Sequence, residues 1–314
     1  MRVATNAYTN AMLDQFSTLT GRQNNLQNEV STGLSVQAPS DDPAAMENTL
    51  NDLAASSAQQ QYSANISTLQ SRATSISSVL SSIQTITSSA SEVATSAGSG
   101  TNSQSKLNDY ADQINQLINQ VVAAANTKDS ATGNYLFAGT DSAAQPFAAT
   151  TDASGNVTAV TYNGNSNVNQ SEIGANLKIT VDVPGVNTGS SGARGLITDS
   201  QSGADLINHL ITLRDDLTAG DTASISGTDI ANLQNDENNI AYQVANNGVR
   251  SQQLTTAATL ATSNSTTLSS MISNASSADL ATAMVQLTQS QTAYQAALES
   301  GSKIMNLSLL NYLS

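Results

Sequence analysis

Apolar residues recur in alternating steps of four and three through most of this chain. A phase held that long leaves few folds open. Ile230, Leu233, Glu237, Ile240, Val244, Asn247, Ser251, Leu254, Ala258, Ala261, Ser265, Leu268 and Ile272 keep it for 43 residues. Tyr62, Ile66, Leu69, Ala73, Ile76, Leu80, Ile83, Thr87, Ala90 and Ala94 keep it too, with Val79, Ile86 and Val93 widening the stripe. Such spacing places the apolar side chains on one face of a helix, and a wide stripe asks for more than one neighbour. Residues 43–96 as one helix would reach roughly 80 Å at about 1.5 Å per residue. A helix of that length needs long partners to bury its seam. A disordered Ser/Thr-rich stalk would not hold phase over so many heptads.

The punctuation between these runs is equally regular. Met12, Phe16, Leu19, Gln23, Leu26 and Val30 form a first stripe, and Gly33 supplies a left-handed stop. Residues 34–42 read as a loop. Asp41 or Asp42 then caps a new helix that has Pro43 in its first turn. The stretch "AGSGTNS" (97–103) breaks the long helix, and Leu107, Tyr110, Ile114, Leu117 and Val121 mark a returning one that ends near Lys128. The segments "NVTAVTYNG" (156–164) and "NLKITVDVPG" (176–185) alternate apolar and polar residues as strands do. A short helix carries Leu206, Ile207, Leu210, Leu213 and Leu217. After the break "SNASSAD" (273–279), Leu280, Met284, Leu287, Gln291, Tyr294, Leu298, Gly301 and Met305 lead to the apolar end "IMNLSLLNYL" (304–313), with Leu309, Leu310 and Leu313.

The expected fold is mainly α, a long antiparallel helical rod of coiled-coil hairpins with a small β-rich insertion domain and terminal assembly helices. Residues 1–42 with 273–314 would form the terminal helical domain, 43–140 with 201–272 the rod, and 141–200 the insertion. The terminal stripes hold more apolar surface than two helices hide alone, which predicts a subunit interface. The two polar seam positions, Gln23 and Gln291, are predicted to face each other across an antiparallel terminal pair and to fix its register.

Chemistry is scarce. There is no cysteine, and His209 is the one histidine, so no catalytic, metal or cofactor site is expected; His209 reads as structural or exposed. The acidic groups Asp41–Asp42 and "DSQSGAD" (199–205) lack the ligand density of a calcium loop. "GVNTGSSGARG" (185–195) has no strand–Gly–helix setting or phosphate-site Lys. The net charge of −14 argues against nucleic acid and anionic lipid as partners. No apolar run is long enough to span a membrane, and the start "MRVATNAYTN" lacks a signal-peptide core, so export is expected to leave that end uncleaved.

Five stretches carry a resemblance: "MRVAT", "STGLSVQAPSDDPAAMEN", "QQQYSANI", "GNYLFAGTDSAAQPF" and "SKIMNLSLLNYL". Together they resemble the bacterial flagellin family and, within it, the branch at the hook–filament junction. The resemblance covers both ends and most of the helical segments, about two-thirds of the chain, and little of the insertion. It implies export through the flagellar type III apparatus with a cytoplasmic chaperone. It further implies a ring of subunits seated between another hook-associated protein and the first flagellin, outside the cell. Leu34 stands where a basic or small polar residue is often seen, and Ser91 where receptor-recognised flagellins carry Arg. The alternatives are flagellin itself and a secreted adhesin that uses the insertion.

Overall fold

The computed structural model describes the backbone of residues 2–313 and the side chains of residues 10–303. The helices are α1 (Arg2–Thr32), α2 (Pro43–Ala97), α3 (Gln104–Ala125), α4 (Leu206–Ala219), α5 (Thr222–Ser224), α6 (Ile230–Ser276) and α7 (Leu280–Leu313). A π-helical turn, Ile225–Asp229, leads into α6. Between α3 and α4 lie seven short strands, β1 (Phe147–Thr151), β2 (Val157–Tyr162), β3 (Ser171–Gly174), β4 (Leu177–Ile179), β5 (Val186–Asn187), β6 (Thr198–Asp199) and β7 (Ala204–Asp205). They make two antiparallel hairpins, β1–β2 and β3–β4, and a small sheet β5–β6–β7 in which β5 and β6 run parallel. The mainly α class with a small strand-bearing segment is the fold that the periodicity predicts.

The chain divides into two compact units, Met1–Gln59 with Ser263–Ser314, and Gln60–Thr262. In the second unit the stripes of α2 and α6 lie together. Ile66, Leu69 and Ala73 share a buried cluster with Leu254 and Ala261, Asn247 donates to the Ala73 carbonyl at 3.0 Å, and Ser91 donates to Glu237 at 2.7 Å. Rising numbers on α2 meet falling numbers on α6, so the pair is antiparallel. A larger cluster joins Ile76, Leu80 and Ile83 of α2, Ile114 and Ile118 of α3, Leu210 and Leu213 of α4, and Leu233 and Ile240 of α6. Phe137, Phe147, Val157, Val183, Leu196 and Ile197 enter the same cluster, so the strand segment packs on the helical core.

Three departures from the sequence reading have local causes. α3 stops at Ala125 instead of near Lys128 because the Asn126 side chain takes both the N–H and the C=O of Phe147, at 3.0 and 2.8 Å, and turns the chain outward. The strand expected over 176–185 pairs only over Leu177–Ile179. Beyond it Val181 and Val183 are buried, and Asp182 turns to the Arg72 guanidinium at 2.6 Å, which takes the backbone off the ladder. The loop "DSQSGAD" is a closed turn rather than a loose one. The Asp199 carboxylate, fully buried, accepts from the N–H groups of Gly195 and Ser202.

Candidate functional site

The first unit is built from α1, α7 and the turns that border them. α1 ends at Thr32, and Gly33 follows with φ 73°, the left-handed conformation that spares glycine the Cβ clash. Leu34 then bridges Ser277 in antiparallel fashion; Ser35 donates its N–H to the Ser276 carbonyl at 2.8 Å, and Ala278 donates to Gly33 at 2.9 Å. The two connections therefore pin the ends of α1 and α7 to each other.

Two aspartates of the turn divide the work. Asp41 accepts from the N–H groups of Gln37 and Ala38 at 3.0 and 2.9 Å and closes the loop, and these backbone bonds hold its carboxyl below the ordinary range. Asp42 accepts from the N–H groups of Ala44 and Ala45, both at 3.0 Å, and caps α2 ahead of Pro43. Asp279 does the same for α7, accepting from Ala281 and Thr282. Asp42→Ala is expected to cost about 0.5–2 kcal/mol of helix stability. Chemical denaturation monitored by helical circular dichroism measures it, and a loss below the error of the fit would show the cap to be redundant.

On α1 the covered positions are Met12, Phe16, Leu19, Gln23, Leu26 and Val30, the stripe read from the sequence, together with Glu29, while Leu13 stands 61 % exposed. Phe16 meets Tyr294 edge-on with ring centroids 5.6 Å apart. On α7 the covered positions are Ala283, Gln286, Leu287, Ser290, Tyr294, Ala297 and Gly301. Of these, Leu287, Tyr294 and Gly301 were singled out by their spacing. Gln291 and Leu298 face outward, and so do Leu280, Met284 and Val285. Met305, Leu309, Leu310 and Leu313 lie outside the residues whose side chains the structure describes.

The predicted Gln23–Gln291 pair is not formed: Gln291 is exposed, and no hydrogen bond joins the two. The reason is a partial turn of α7 that keeps Leu287, Tyr294 and Gly301 covered. Its small residues Ala283, Ser290 and Ala297 turn inward in place of Met284, Gln291 and Leu298, since small side chains let helices approach closely. Gly301 completes that face: a Cβ there would run into the Met12 side chain. Heptad spacing of small residues is a signal that the sequence does carry, hidden beneath the larger apolar stripe beside it.

The result is an uneven distribution of core. Both hydrophobic clusters lie in Gln60–Thr262. In the first unit Leu26 and Ala283 are the buried hydrophobic residues among those described, while Leu13, Leu50, Leu53, Met284, Val285 and Leu298 are each between 46 % and 61 % exposed.

The second unit offers no comparable arrangement for chemistry. His209 is half-buried and paired with Asp236 at 2.8 Å. Among the described residues no group of three His, Cys, Asp or Glu side chains is placed to hold a metal ion, and no helix is long and apolar enough to cross a membrane. A polar cleft of about 650 Å³ lined by Asp112, Asp152, Arg214 and Asp215 is open, and its guanidinium is already engaged by Asp215, Asn115 and the Val157 carbonyl.

Comparison with known proteins agrees with this architecture. Residues 3–142 match the bacterial flagellin N-terminal helical region. No curated protein matches the chain. Among solved structures, a flagellar hook-associated protein from Vibrio parahaemolyticus superposes with a TM-score of 0.63 at 18 % identity, over 76 % of this chain and 100 % of that one. The flagellar hook-associated protein-3 from Legionella pneumophila gives 0.57 at 16 % identity, over 69 % and 96 %. Bacillus cereus FlgL gives 0.54 at 18 % identity, over 74 % and 100 %. At these identities the likeness is one of fold.

Proposed function

We propose that this chain, which carries a bacterial flagellin N-terminal helical region, is a structural protein of the flagellum that joins hook to filament by helix-mediated assembly. The observation that carries the reading is the first unit: paired helices that expose large apolar side chains and, among the described residues, bury hardly any core. Such a unit gains its burial from neighbours. Copies of the same chain, packed in a ring, supply them on the sides. Another hook-associated protein and flagellin supply them above and below, and an export chaperone covers the same face in the cytoplasm. The fold shared with hook-associated proteins supports this place in the flagellum. In this reading residues 1–42 and 273–314 are the assembly segments, 43–140 and 201–272 the helical body, and 141–200 the β-rich insertion. The role is mechanical; no catalysis, cofactor, nucleic acid or membrane enters it, in keeping with a net charge of −14.

The test separates folding from assembly. Met284→Glu with Leu298→Glu alters two exposed positions, so the isolated chain should keep its stability to within about 0.5 kcal/mol per site. Cells carrying the double variant should keep hooks, lose motility and shed flagellin into the medium. Motility equal to wild type, with the variant present in hooks, would sink the assembly face. Purified chain that polymerises by itself into long filaments would favour a filament subunit instead.

A further inference from the structure

The antiparallel faces of α4 and of α6, with its π-helical start, are joined by two polar rungs. On each side the rungs stand seven residues apart: His209 and Asp216 on α4, Asp236 and Asp229 opposite. The first rung is complete. His209 Nδ1 lies 2.8 Å from Asp236 Oδ2, and Asp236 Oδ1 accepts the Asp205 N–H at 2.9 Å. The second rung sets carboxylate against carboxylate, with Asp216 and Asp229 in side-chain hydrogen-bonding reach. Asp229 is 2 % exposed, and its Oδ2 is enclosed without a donor among the described residues. A buried acceptor left without a donor is costly, and two adjacent carboxylates cannot both ionise cheaply. A single proton held between them removes both penalties.

The chain between the rungs is short and irregular. Gly220 takes φ 74° at the end of α4, Asp221 caps the three-residue α5, and the π turn Ile225–Asp229 replaces regular helical bonding. The titratable groups that act on this corner are Asp205 from β7, Asp215 and Asp216 from α4, Asp221 from the turn, and Asp229 and Asp236 from the α6 side. His209 is the one cationic group among those acting on Asp229.

We propose that a proton shared by Asp216 and Asp229 holds the corner 217–230 closed, and that its release loosens this end of α4 and α6: a conformational switch that reads pH. Burial, reinforced by the charge and hydrogen bond of Asp216, pushes Asp229 from 3.8 up to about 6. The proton therefore binds more tightly in the closed corner than in the open one. Its contribution is whole below pH 3.8 and is lost as pH rises through about 6. At His209 burial works the other way, but the hydrogen bond and charge of Asp236 outweigh it and hold the imidazole above 6.5. That contribution is whole below pH 6.5 and is lost on further rise. Both rungs act in one direction, firm in mild acid and looser above it.

Hydrogen exchange of amides 217–230 in the full chain, corrected for intrinsic rates, tests the switch. Between pH 5 and 7.5 the opening constant should rise about tenfold in the wild type. Asp229→Asn places an amide donor there at every pH, so at pH 7.5 the variant should be better protected than the wild type and lose only the His209 contribution on the rise from pH 5. Asp216→Asn should do the same from the other side. Equal protection of the wild type at both pH values overturns the switch, as does a tenfold change that survives in both variants. Loss of fold in both variants counts against it as well, because a neutral donor at this place is what the corner is said to need.

Discussion

Arg72→Ala should destabilise the chain by about 3–5 kcal/mol, the cost of stripping a partner from a buried ion pair. Arg72 projects from α2 into the loops that precede and follow the hairpins. Its Nε donates to Asp182 at 2.6 Å, one terminal nitrogen reaches Asp129 at 3.4 Å, and the other reaches the Leu136 carbonyl at 3.3 Å. The Asp129 and Asp182 side chains are only 3 % and 8 % exposed, so neither can turn to water when the guanidinium is gone. Asp182 is bound elsewhere too: its second oxygen accepts the Asn169 N–H at 3.0 Å, and its carbonyl accepts from Arg250 at 3.1 Å. A shift in the urea midpoint at constant slope measures the loss. Asp182→Asn in the Arg72→Ala background should recover part of it, since one unpaired buried charge is removed. A cost for Arg72→Ala below about 1 kcal/mol, the scale of exposed pairs, would show that water reaches the cluster.

Gly195→Ala should be nearly as damaging. Gly195 sits where the chain returns to β6, and a Cβ there would meet the Thr198 carbonyl oxygen and the Asn187 nitrogen, the latter at 2.5 Å. Both obstacles are backbone in a packed sheet and cannot rotate aside. The same residue anchors the loop to α6: its carbonyl accepts from Asn239 at 2.9 Å and from Gln243 at 3.3 Å, and its N–H donates to Asp199 at 3.2 Å. Overpacking of this kind costs about 1–3 kcal/mol, and the upper end is expected here. For a chain of this size that corresponds to a fall in Tm of roughly 4–5 °C. Gly248→Ala is the control. It lies in α6 with nothing within 4 Å of an added Cβ, and should stabilise the helix by about 0.5–1 kcal/mol. Equal melting temperatures for Gly195→Ala and wild type would mean that the β5–β6 loop moves freely enough to absorb the methyl group.

Helix identity and punctuation were legible because their causes are local. Alternating four–three spacing, the Gly33 stop, the Asp42 cap with Pro43 and the break at 97–103 each act over a few residues and stand in the structure where those residues put them, while the break expected over 273–279 is shortened to residues 277–279 because α6 runs on to Ser276. The stripe of α1 was legible for the same reason. Met12, Phe16, Leu19, Leu26 and Val30 make a single apolar line there, and that line is the covered one.

The choice of partner is a different kind of information. α7 carries two lines side by side, large residues at Leu280, Met284 and Leu298 and small ones at Ala283, Ser290 and Ala297. The distance at which α1 lies against it decides which turns inward. Asp129, Asp182 and Leu136 are tens of residues from Arg72 in sequence, and Asp236 is 27 from His209, so no local pattern pairs them. In sequence Gly195 is one glycine of the run "GVNTGSSGARG", and only in the fold do Asn239 and Gln243 of α6 close over it. The sequence by itself determined which segments are helical, where they stop, and that apolar seams must be covered. Which faces meet, and which buried charges find each other, was decided by tertiary packing, because close contact and desolvation depend on what the rest of the chain brings alongside.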